Sequence, residues 1–210
     1  MPSAGNANPP DSFPGPHPDP PDDLPQRGLP LVHAAGPWFR IHRMDNDPVH
    51  FGRSGRNRFD APGGEFGVLY AALDEHGSFI ESFGLDRLGS HGVVTVQALA
   101  DRGLARIHAA RPLGLVDLTG AGLARIGADA RLCAGDHWVA RAWARALWTH
   151  PRAPDGLLYP ARHDPSRGCV ALFDRARDAV AAERLGSLVD PRQRQLLAAI
   201  LDVYGYGLIA

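Results

Sequence analysis

The chain of 210 residues contains no lysine, so all 22 of its basic Lys and Arg residues are arginine. This absence excludes every chemistry that needs a lysine amine, such as a Schiff base, a P-loop lysine or the phosphate-binding lysine of kinases. Recognition of phosphate must therefore use arginine or backbone amides. Glutamate is also scarce, so a catalytic glutamate comes from a set of four: Glu65, Glu75, Glu81 and Glu183.

The sequence also contains few cysteines, no long apolar run and little net charge. The two cysteines, Cys133 and Cys169, match neither a CxxC motif nor a zinc site, and they do not indicate a disulfide framework. The ten histidines form no ligand spacing typical of a metal centre, so we expect no metal. With no 18-residue apolar run and no signal-like N-terminus, we expect a cytoplasmic protein without a membrane span. The formal net charge of −1 argues against direct binding of nucleic acid.

Residues 1–36 differ in composition from the rest of the chain. They hold ten of the 19 prolines and one aromatic residue, Phe13, and their charges are four aspartates and Arg27. Such a segment buries too little apolar surface to offset its chain entropy. We therefore expect a disordered Pro-rich leader over residues 1–36 that is dispensable for catalysis, followed by one folded domain over residues 37–210.

Strand and helix patterns intermix in this domain without regular βαβ spacing. Apolar runs predict strands at residues 38–41, 68–72, 93–99, 104–109, 113–118, 156–159 and 169–173. Helices are predicted after a cap at Asp74, from Gly120 to Ile126, over Asp136–His150 with Asp136 as the N-cap, and after Asp190 to about Val203. The pattern predicts a single α/β (α+β) domain with a mixed sheet.

The segment Gly120-Ala-Gly122-Leu-Ala-Arg125 comes close to a dinucleotide fingerprint. Its sixth position is Arg125 rather than glycine, and no acidic residue follows about 20 residues later in a second strand. We interpret it as the start of a helix after a strand.

The connection from His42 to Gly67 is long, and connections of this length are usually functional. It contains Arg53, Arg56 and Arg58, which are either a solvated surface cluster or planar donors for a phosphate or diphosphate. Tyr70 follows in the next strand. Glu81 lies 11 residues further on, either exposed on a helix or partly buried against a cation.

In order along the chain, these segments resemble the RES domain proteins, the toxin components of Res–Xre toxin–antitoxin systems. The resemblance covers about residues 37–205, and no single motif within it is specific. The matching segments are Trp38-Phe-Arg40-Ile, Gly55-Arg-Asn-Arg58-Phe59-Asp-Ala-Pro62, Phe66-Gly-Val-Leu-Tyr70, Phe79-Ile-Glu81, Leu115-Val-Asp-Leu-Thr-Gly120, Asp155-Gly-Leu-Leu-Tyr159 and Cys169-Val-Ala-Leu-Phe173-Asp.

This resemblance implies a fold akin to the ADP-ribosyltransferase toxins and an activity on NAD. Members degrade NAD by phosphorolysis, with phosphate as co-substrate, or by hydrolysis, and some are assigned protein ADP-ribosylation. A cognate Xre-type antitoxin is the implied partner, and the oligomeric state stays open. The implied catalytic residues are Glu81, Arg58 and Tyr70, and the implied NAD-binding residues are Arg40, Arg58, Tyr70 and Arg162.

One departure from the family pattern affects this expectation. The block that often reads Tyr-x-Ser is Tyr159-Pro160-Ala161-Arg162 here, so a hydroxyl is missing at Ala161. Either Arg162 and His163 take over part of the ligand contact, or the activity is reduced. A RES-like fold that only binds NAD or a partner is therefore the third reading, beside NAD cleavage and ADP-ribosyl transfer.

Overall fold

The computed structural model of the chain describes residues 17–90 and 92–210, with side chains for all of these except residues 85–90. Within these residues the chain forms ten strands and six α-helices. The strands are β1 (Leu31–Ala34), β2 (Trp38–Arg43), β3 (Val68–Ala72), β4 (Val93–Thr95), β5 (Arg102–Ala109), β6 (Leu113–Asp117), β7 (Gly156–Pro160), β8 (Gly168–Phe173), β9 (Val180–Ser187) and β10 (Gly207–Ile209). The helices are α1 (Glu75–Ser90), α2 (Val96–Ala100), α3 (Ala121–Ile126), α4 (Arg131–Ala134), α5 (His137–Trp148) and α6 (Arg194–Tyr204).

Eight of the strands form one mixed sheet in the order β1-β6-β7-β8-β3-β2-β5-β9. Neighbouring strands run antiparallel, except that β6 and β7 are parallel. Strands β10 and β4 pair separately as a short parallel ribbon. The predicted fold class, an α/β (α+β) domain built on a mixed sheet, is confirmed.

The central strands of the sheet are buried on both faces. In β3, Val68 belongs to the apolar cluster that includes Trp143 of α5, whereas its neighbour Leu69 belongs to a second cluster that includes Trp38. Side chains alternate between the two faces of a strand, so the continuous apolar run from Val68 to Ala72 is what a strand covered on both sides requires. Helices α1 and α6 bury a third apolar cluster.

The prediction of a disordered leader is wrong for residues 17–36. Strand β1 pairs with β6 at the edge of the large sheet, with Leu31 opposite Val116. Upstream of β1, the side chain of Leu24 is 1% exposed, and the indole Nε1 of Trp143 donates to the carbonyl oxygen of Pro18 at 3.0 Å. The folded domain therefore begins before Trp38. Residues 1–16, which belong to the same predicted leader, lie outside the described residues.

The prediction is wrong for a physical reason: the average composition of a segment does not show whether a few of its apolar groups can pack on the core of the rest of the chain. A Pro-rich segment cannot form a core of its own, but this one lies on a core formed by the rest of the chain. The imidazole of His150, itself 3% exposed, contacts the carbonyl oxygens of Leu24 and Arg27 at 3.2 Å each. Side chains of α5 and of the residue stretch that follows it thus form hydrogen bonds with backbone carbonyl groups of the N-terminal segment. A segment held in this way can be ordered without many apolar side chains of its own.

Local predictions mostly hold, with three corrections. The predicted strand at residues 93–99 is a strand only to Thr95, whose hydroxyl caps helix α2 by accepting the N–H of Ala98 at 3.0 Å. Asp136 lies at the N-cap position of α5, but its side chain makes no cap hydrogen bond. The sequence patterns do not predict strand β9, because Val180-Ala-Ala-Glu-Arg-Leu-Gly-Ser187 has neither a long apolar run nor a regular alternation, and it lies at a sheet edge. The cap at Asp74 is confirmed, since its carboxylate accepts the N–H of Gly77 at 2.7 Å.

Among the described residues, no helix is both long enough and apolar enough to cross a lipid bilayer.

Replacement of Leu24 by alanine should lower the free energy of unfolding by about 2–5 kcal/mol, because truncating a buried leucine removes apolar contacts and leaves a cavity. Urea unfolding followed by circular dichroism measures this change. Val203→Ala is the matched control, since Val203 is 56% exposed on α6; its effect should stay within about 0.5 kcal/mol. Deletion of residues 1–36 should destabilise the fold further, contrary to the expectation of a dispensable leader. An unchanged unfolding midpoint for Leu24→Ala would contradict this packing.

Candidate active site

A cavity of about 340 Å³ opens on the sheet face between α1 and the long connection from β2 to β3. The five residues that the sequence assigned to the site all line this cavity, although they come from separate parts of the chain. They are Arg40 from β2, Arg58 from the connection, Tyr70 from β3, Glu81 from α1 and Arg162 from the turn after β7. Its lining residues are Arg40, Ile41, Asn57, Arg58, Tyr70, Ala71, Ala72, Ser78, Glu81, Ser82, His137, Tyr159, Arg162, His163 and Cys169.

Arg40 enters the cavity from β2. Its Nη1 donates to the carbonyl oxygen of His50 at 3.0 Å, so the connection folds over the guanidinium. Burial lowers the pKa of Arg40 to about 10, and the charge of Asp47 opposes this shift. The group nevertheless stays protonated at neutral pH, and it supplies a partly desolvated positive charge to the cavity.

Arg58 is the more deeply buried arginine, with 8% of its surface exposed. Its Nη1 donates to the carbonyl oxygen of Gly135 at 2.7 Å, but its Nη2 is buried and has no hydrogen-bond partner among the described residues. Burial is the main reason that the pKa of Arg58 is lowered, and the charge of Arg162 adds to the effect. A buried donor without a partner is unfavourable in a fold, so Nη2 is available to an acceptor that enters the cavity.

The loop that presents Arg58 is organised by the carboxylate of Asp60, which has no exposed surface. Its Oδ2 accepts the hydroxyl of Ser54 at 2.9 Å and the backbone N–H groups of Arg56 and Asn57 at 3.1 Å each. Its Oδ1 accepts the hydroxyl of Tyr70 at 2.9 Å. Sequence reasoning missed this residue; the available signal was an aspartate in a loop rich in Gly, Ser and Asn, where carboxylates bond nearby backbone groups.

Tyr70 therefore has a second task that the sequence did not indicate. Its hydroxyl donates to Asp60 and accepts the N–H of Phe59 at 3.0 Å. Burial and the neighbouring carboxylate of Asp60 raise the pKa of Tyr70 well above its ordinary value. The hydroxyl belongs to the loop, so the part of Tyr70 that the cavity offers to a ligand is its ring.

Glu81 connects α1 to the turn between β7 and β8. Its Oε1 accepts the backbone N–H groups of Arg162 at 2.8 Å and His163 at 3.2 Å. In the described part of the chain its second oxygen, Oε2, has no hydrogen-bond partner. One carboxylate thus fixes the turn with one oxygen and leaves the other for the cavity.

The same turn lies close to α1 at a glycine. A Cβ on Gly84 would lie 2.6 Å from Cγ of the His163 ring, so only glycine allows this approach. Arg162 is exposed, and the described residues give its guanidinium no hydrogen-bond partner. Ala161 is buried and does not line the cavity, whereas Arg162 and His163 do.

Two further side chains line the cavity without having been assigned to it from sequence. Tyr159 is 6% exposed and packs edge-on against Phe59 with 4.9 Å between ring centroids; burial raises the pKa of Tyr159 well above its ordinary value. His137, the first residue of α5, lies with its Nδ1 3.1 Å from the carbonyl oxygen of Arg56. In the sequence Tyr159 marks a family block without a site role and His137 belongs to no motif, because tertiary contacts alone bring them beside Arg58.

Arg53 lies outside the cavity. Its Nη2 forms an ion pair with Asp174 at 2.6 Å, and its Nη1 donates to the carbonyl oxygen of Gly64 at 2.7 Å, so it tethers the long connection to the end of β8. Of the arginine cluster predicted in this connection, Arg58 alone lines the cavity. In the described ranges, no three His, Cys, Asp or Glu side chains converge as a metal centre requires.

A comparison with known families finds that the RES domain model matches residues 37–196, from the start of β2 into α6. The chain belongs to the RES domain family. The resemblance inferred from the motifs is thereby confirmed, and the packed segment at residues 17–36 lies upstream of the matched region.

Two relatives of this RES domain protein are informative. The protein named "Probable toxin y4kH" of Sinorhizobium fredii (strain NBRC 101917 / NGR234) is 33% identical over 126 residues, covering 58% of this chain and 96% of that protein. The crystal structure of the M. tuberculosis MbcT–MbcA toxin–antitoxin complex contains a chain that matches with a TM-score of 0.64 at 18% identity, over 85% of this chain and 98% of that chain. At this identity the structural match establishes a shared fold.

Tyr70→Phe should lower the free energy of unfolding by about 1–3 kcal/mol, because Oδ1 of the buried Asp60 keeps only the longer contact of 3.4 Å from the Asn57 side-chain amide and the N–H of Phe59 loses its acceptor. Ser54→Ala is the comparison within the same network. It should cost less, since Oδ2 of Asp60 keeps the backbone donors of Arg56 and Asn57. Equilibrium urea unfolding of both variants measures the difference, and equal losses would contradict the arrangement described here.

Proposed function

We propose that this RES domain protein is the toxin of a toxin–antitoxin pair and that it cleaves the bond between nicotinamide and ribose in NAD, by hydrolysis or phosphorolysis. The observation that carries the proposal is the buried Nη2 of Arg58, a charged donor with no partner in the described chain. It lies in a cavity that also contains Arg40 and Arg162 around a single carboxylate, that of Glu81. Three guanidinium groups and one carboxylate suit a ligand that carries a diphosphate and a sugar.

The arginines are assigned to the diphosphate. Guanidinium groups bind phosphate oxygens through two parallel N–H donors, and such charge-assisted bonds are the strong ones. Because the chain has no lysine, arginine and backbone amides are its only strong phosphate donors. The cavity volume of about 340 Å³ lies within the range of roughly 300–1,000 Å³ that is typical of ligand sites.

Glu81 is assigned to the ribose. When the bond to nicotinamide breaks, the leaving group departs neutral and positive charge develops on the ribose ring, as in an oxocarbenium ion. A carboxylate oxygen placed beside that charge stabilises the transition state more than the ground state. The Oε2 of Glu81 is available for this purpose because Oε1 already fixes the turn. The ring of Tyr70 is assigned to stacking on the nicotinamide.

The partner in this proposal is a cognate antitoxin of the Xre type that covers the mouth of the cavity. The support is that the structural relative comes from a toxin–antitoxin complex and that Arg162 is exposed at the rim of the cavity. Expression of the chain alone should arrest bacterial growth and deplete NAD, and co-expression with the cognate antitoxin should restore both.

Incubation of the purified protein with NAD, with and without phosphate, tests the activity itself. Free ADP-ribose indicates hydrolysis, and ADP-ribose-1″-phosphate indicates phosphorolysis; either product supports the proposal. ADP-ribose attached to protein would overturn it in favour of a transferase. Intact NAD after long incubation would overturn it in favour of a RES-like fold that only binds, the reading that the missing hydroxyl at Ala161 raises.

Glu81→Gln should lower the rate of NAD loss by about 10²–10³ while the fold is retained, since an electrostatic group at the developing charge is removed. The amide oxygen of glutamine can still accept the N–H groups of Arg162 and His163, so the turn should stay in place. Glu75→Gln, at the start of the same helix and outside the cavity, is the matched control. Turnover of Glu81→Gln at the parental rate would remove Glu81 from the mechanism.

Arg58→Lys should weaken NAD binding about ten- to a hundredfold, because an ammonium cannot reproduce the planar fork and one charge-assisted bond is worth about 1.5–3 kcal/mol. Arg53→Lys is the matched control, since it keeps a cation beside Asp174 outside the cavity, and it should leave NAD binding unchanged. Calorimetric titration with NAD measures both affinities. The reverse pattern, with Arg53→Lys damaging and Arg58→Lys silent, would show that the ligand site has been misplaced.

A further inference from the structure

The geometry of His137 sets its protonation pattern. Its Nδ1 lies 3.1 Å from the carbonyl oxygen of Arg56. A carbonyl oxygen can only accept, so Nδ1 carries the proton of the neutral imidazole and Nε2 carries a lone pair. This Nε2 has no hydrogen-bond partner in the described ranges of the chain. The side chain lines the cavity, so a basic nitrogen of fixed tautomer belongs to the same site as Glu81.

The surroundings of His137 keep the imidazole neutral. Burial is the main cause that lowers the pKa of His137 below its usual value of 6.5; the hydrogen bond to the carbonyl oxygen of Arg56 opposes this shift, and the charges of Arg58, Arg141 and Arg162 add to it. These cations approach from the long connection, from α5 itself and from the turn after β7. The neighbouring charge of opposite sign along the chain is Asp136. The ring is therefore in its basic form at neutral pH, which is the state a proton acceptor needs.

We propose that Nε2 of His137 is the general base that activates water in the hydrolysis of NAD, an inference that rests on the proposed function above. The water oxygen forms a bond to C1′ of the nicotinamide ribose as the bond from C1′ to the nicotinamide nitrogen breaks. Nicotinamide leaves as a neutral molecule with the electron pair of that bond. Nε2 takes the proton of the attacking water and later releases it to solvent, so the products are ADP-ribose, nicotinamide and one proton.

Among the other ionisable groups of the cavity, His163 has its ring packed against Gly84 of α1, and the following three are also less suited to this step. Glu81 has one oxygen bound to two backbone N–H groups and is assigned to the charge on the ribose. Burial raises the pKa of the Cys169 thiol, so it is not a base at neutral pH. The pKa of Tyr159 is likewise raised by its burial. Phosphate as the attacking group already carries negative charge and needs no base, so His137 acts on water and not on phosphate.

This distinction gives a test with two nucleophiles. His137→Asn removes Nε2 but keeps an amide N–H near the position of Nδ1, so the contact to Arg56 is retained. We expect hydrolysis in phosphate-free buffer to fall about a hundredfold, at the lower end of the range for general bases, while phosphorolysis and NAD affinity are unchanged. His108→Asn, on the exposed side of β5, is the matched control and should leave both reactions unchanged.

The pH dependence of hydrolysis provides a second test, because a purely structural role of His137 would leave the shape of the profile unchanged. In the parent, kcat/KM for hydrolysis should fall as the pH drops through the lowered pKa of His137, because the imidazole becomes protonated and can no longer accept a proton. His137→Asn should lack this acid limb. Thermal unfolding of the variant, compared with the parent, identifies any loss of fold.

Three results would overturn the inference. The first is hydrolysis by His137→Asn at the parental rate with an unchanged acid limb. The second is an equal loss of hydrolysis and phosphorolysis in that variant. The third is a parent that consumes NAD only when phosphate is present; here NAD cleavage stands and only the role of His137 is lost. If the parent consumes no NAD under either condition, the proposed function itself fails, and that outcome is separate from the other three.

Discussion

The buried carboxylate of Asp60 is the contact on which the cavity depends most. The connection between β2 and β3 has little ladder pairing of its own beyond a bridge between Gly52 and Val68. Its order comes instead from donors that converge on one charged side chain, including two backbone N–H groups and the hydroxyl of Tyr70. Since Arg58 lies two residues from this centre, the position of its guanidinium follows from the same network. Networks of this kind are stable only when every member is satisfied.

The cavity combines groups that are unfavourable in the absence of a ligand. Arg40 and Arg58 are largely removed from water, and within the described residues neither forms an ion pair with a carboxylate. Desolvated positive charge that lacks a counter-charge destabilises the empty protein and becomes favourable when an anion enters. The rest of the fold compensates for this strain, with a sheet whose central strands are apolar on both faces and an N-terminal segment that covers α5. Local instability at a functional site, balanced elsewhere, is common in enzymes.

The sequence predicted the order of most elements, because strands such as Val68–Ala72 and the helix from His137 have strong local patterns. It also predicted the residues that line the cavity from α1 and β2, since the family motifs mark them. It failed where tertiary contacts decide the outcome. The segment at residues 17–36 is ordered by a core it does not form itself, and β9 is an edge strand with no fully buried residue. The roles of Asp60 and His137 depend on distances across the fold, to Tyr70 and to Arg56, that no local spacing records.

The close approach of Gly84 to the ring of His163 has a consequence for how relatives of this protein can diverge. The turn that carries Arg162 lies against α1 at the distance that the absent side chain at Gly84 permits. The width of the cavity rim is thus encoded at an apolar helix position that makes no polar contact with a ligand. A larger residue there would move the turn outward and widen the entrance while every charged group was conserved. The width of the cavity entrance can therefore change through helix packing, and alignments of the charged residues alone would not reveal it.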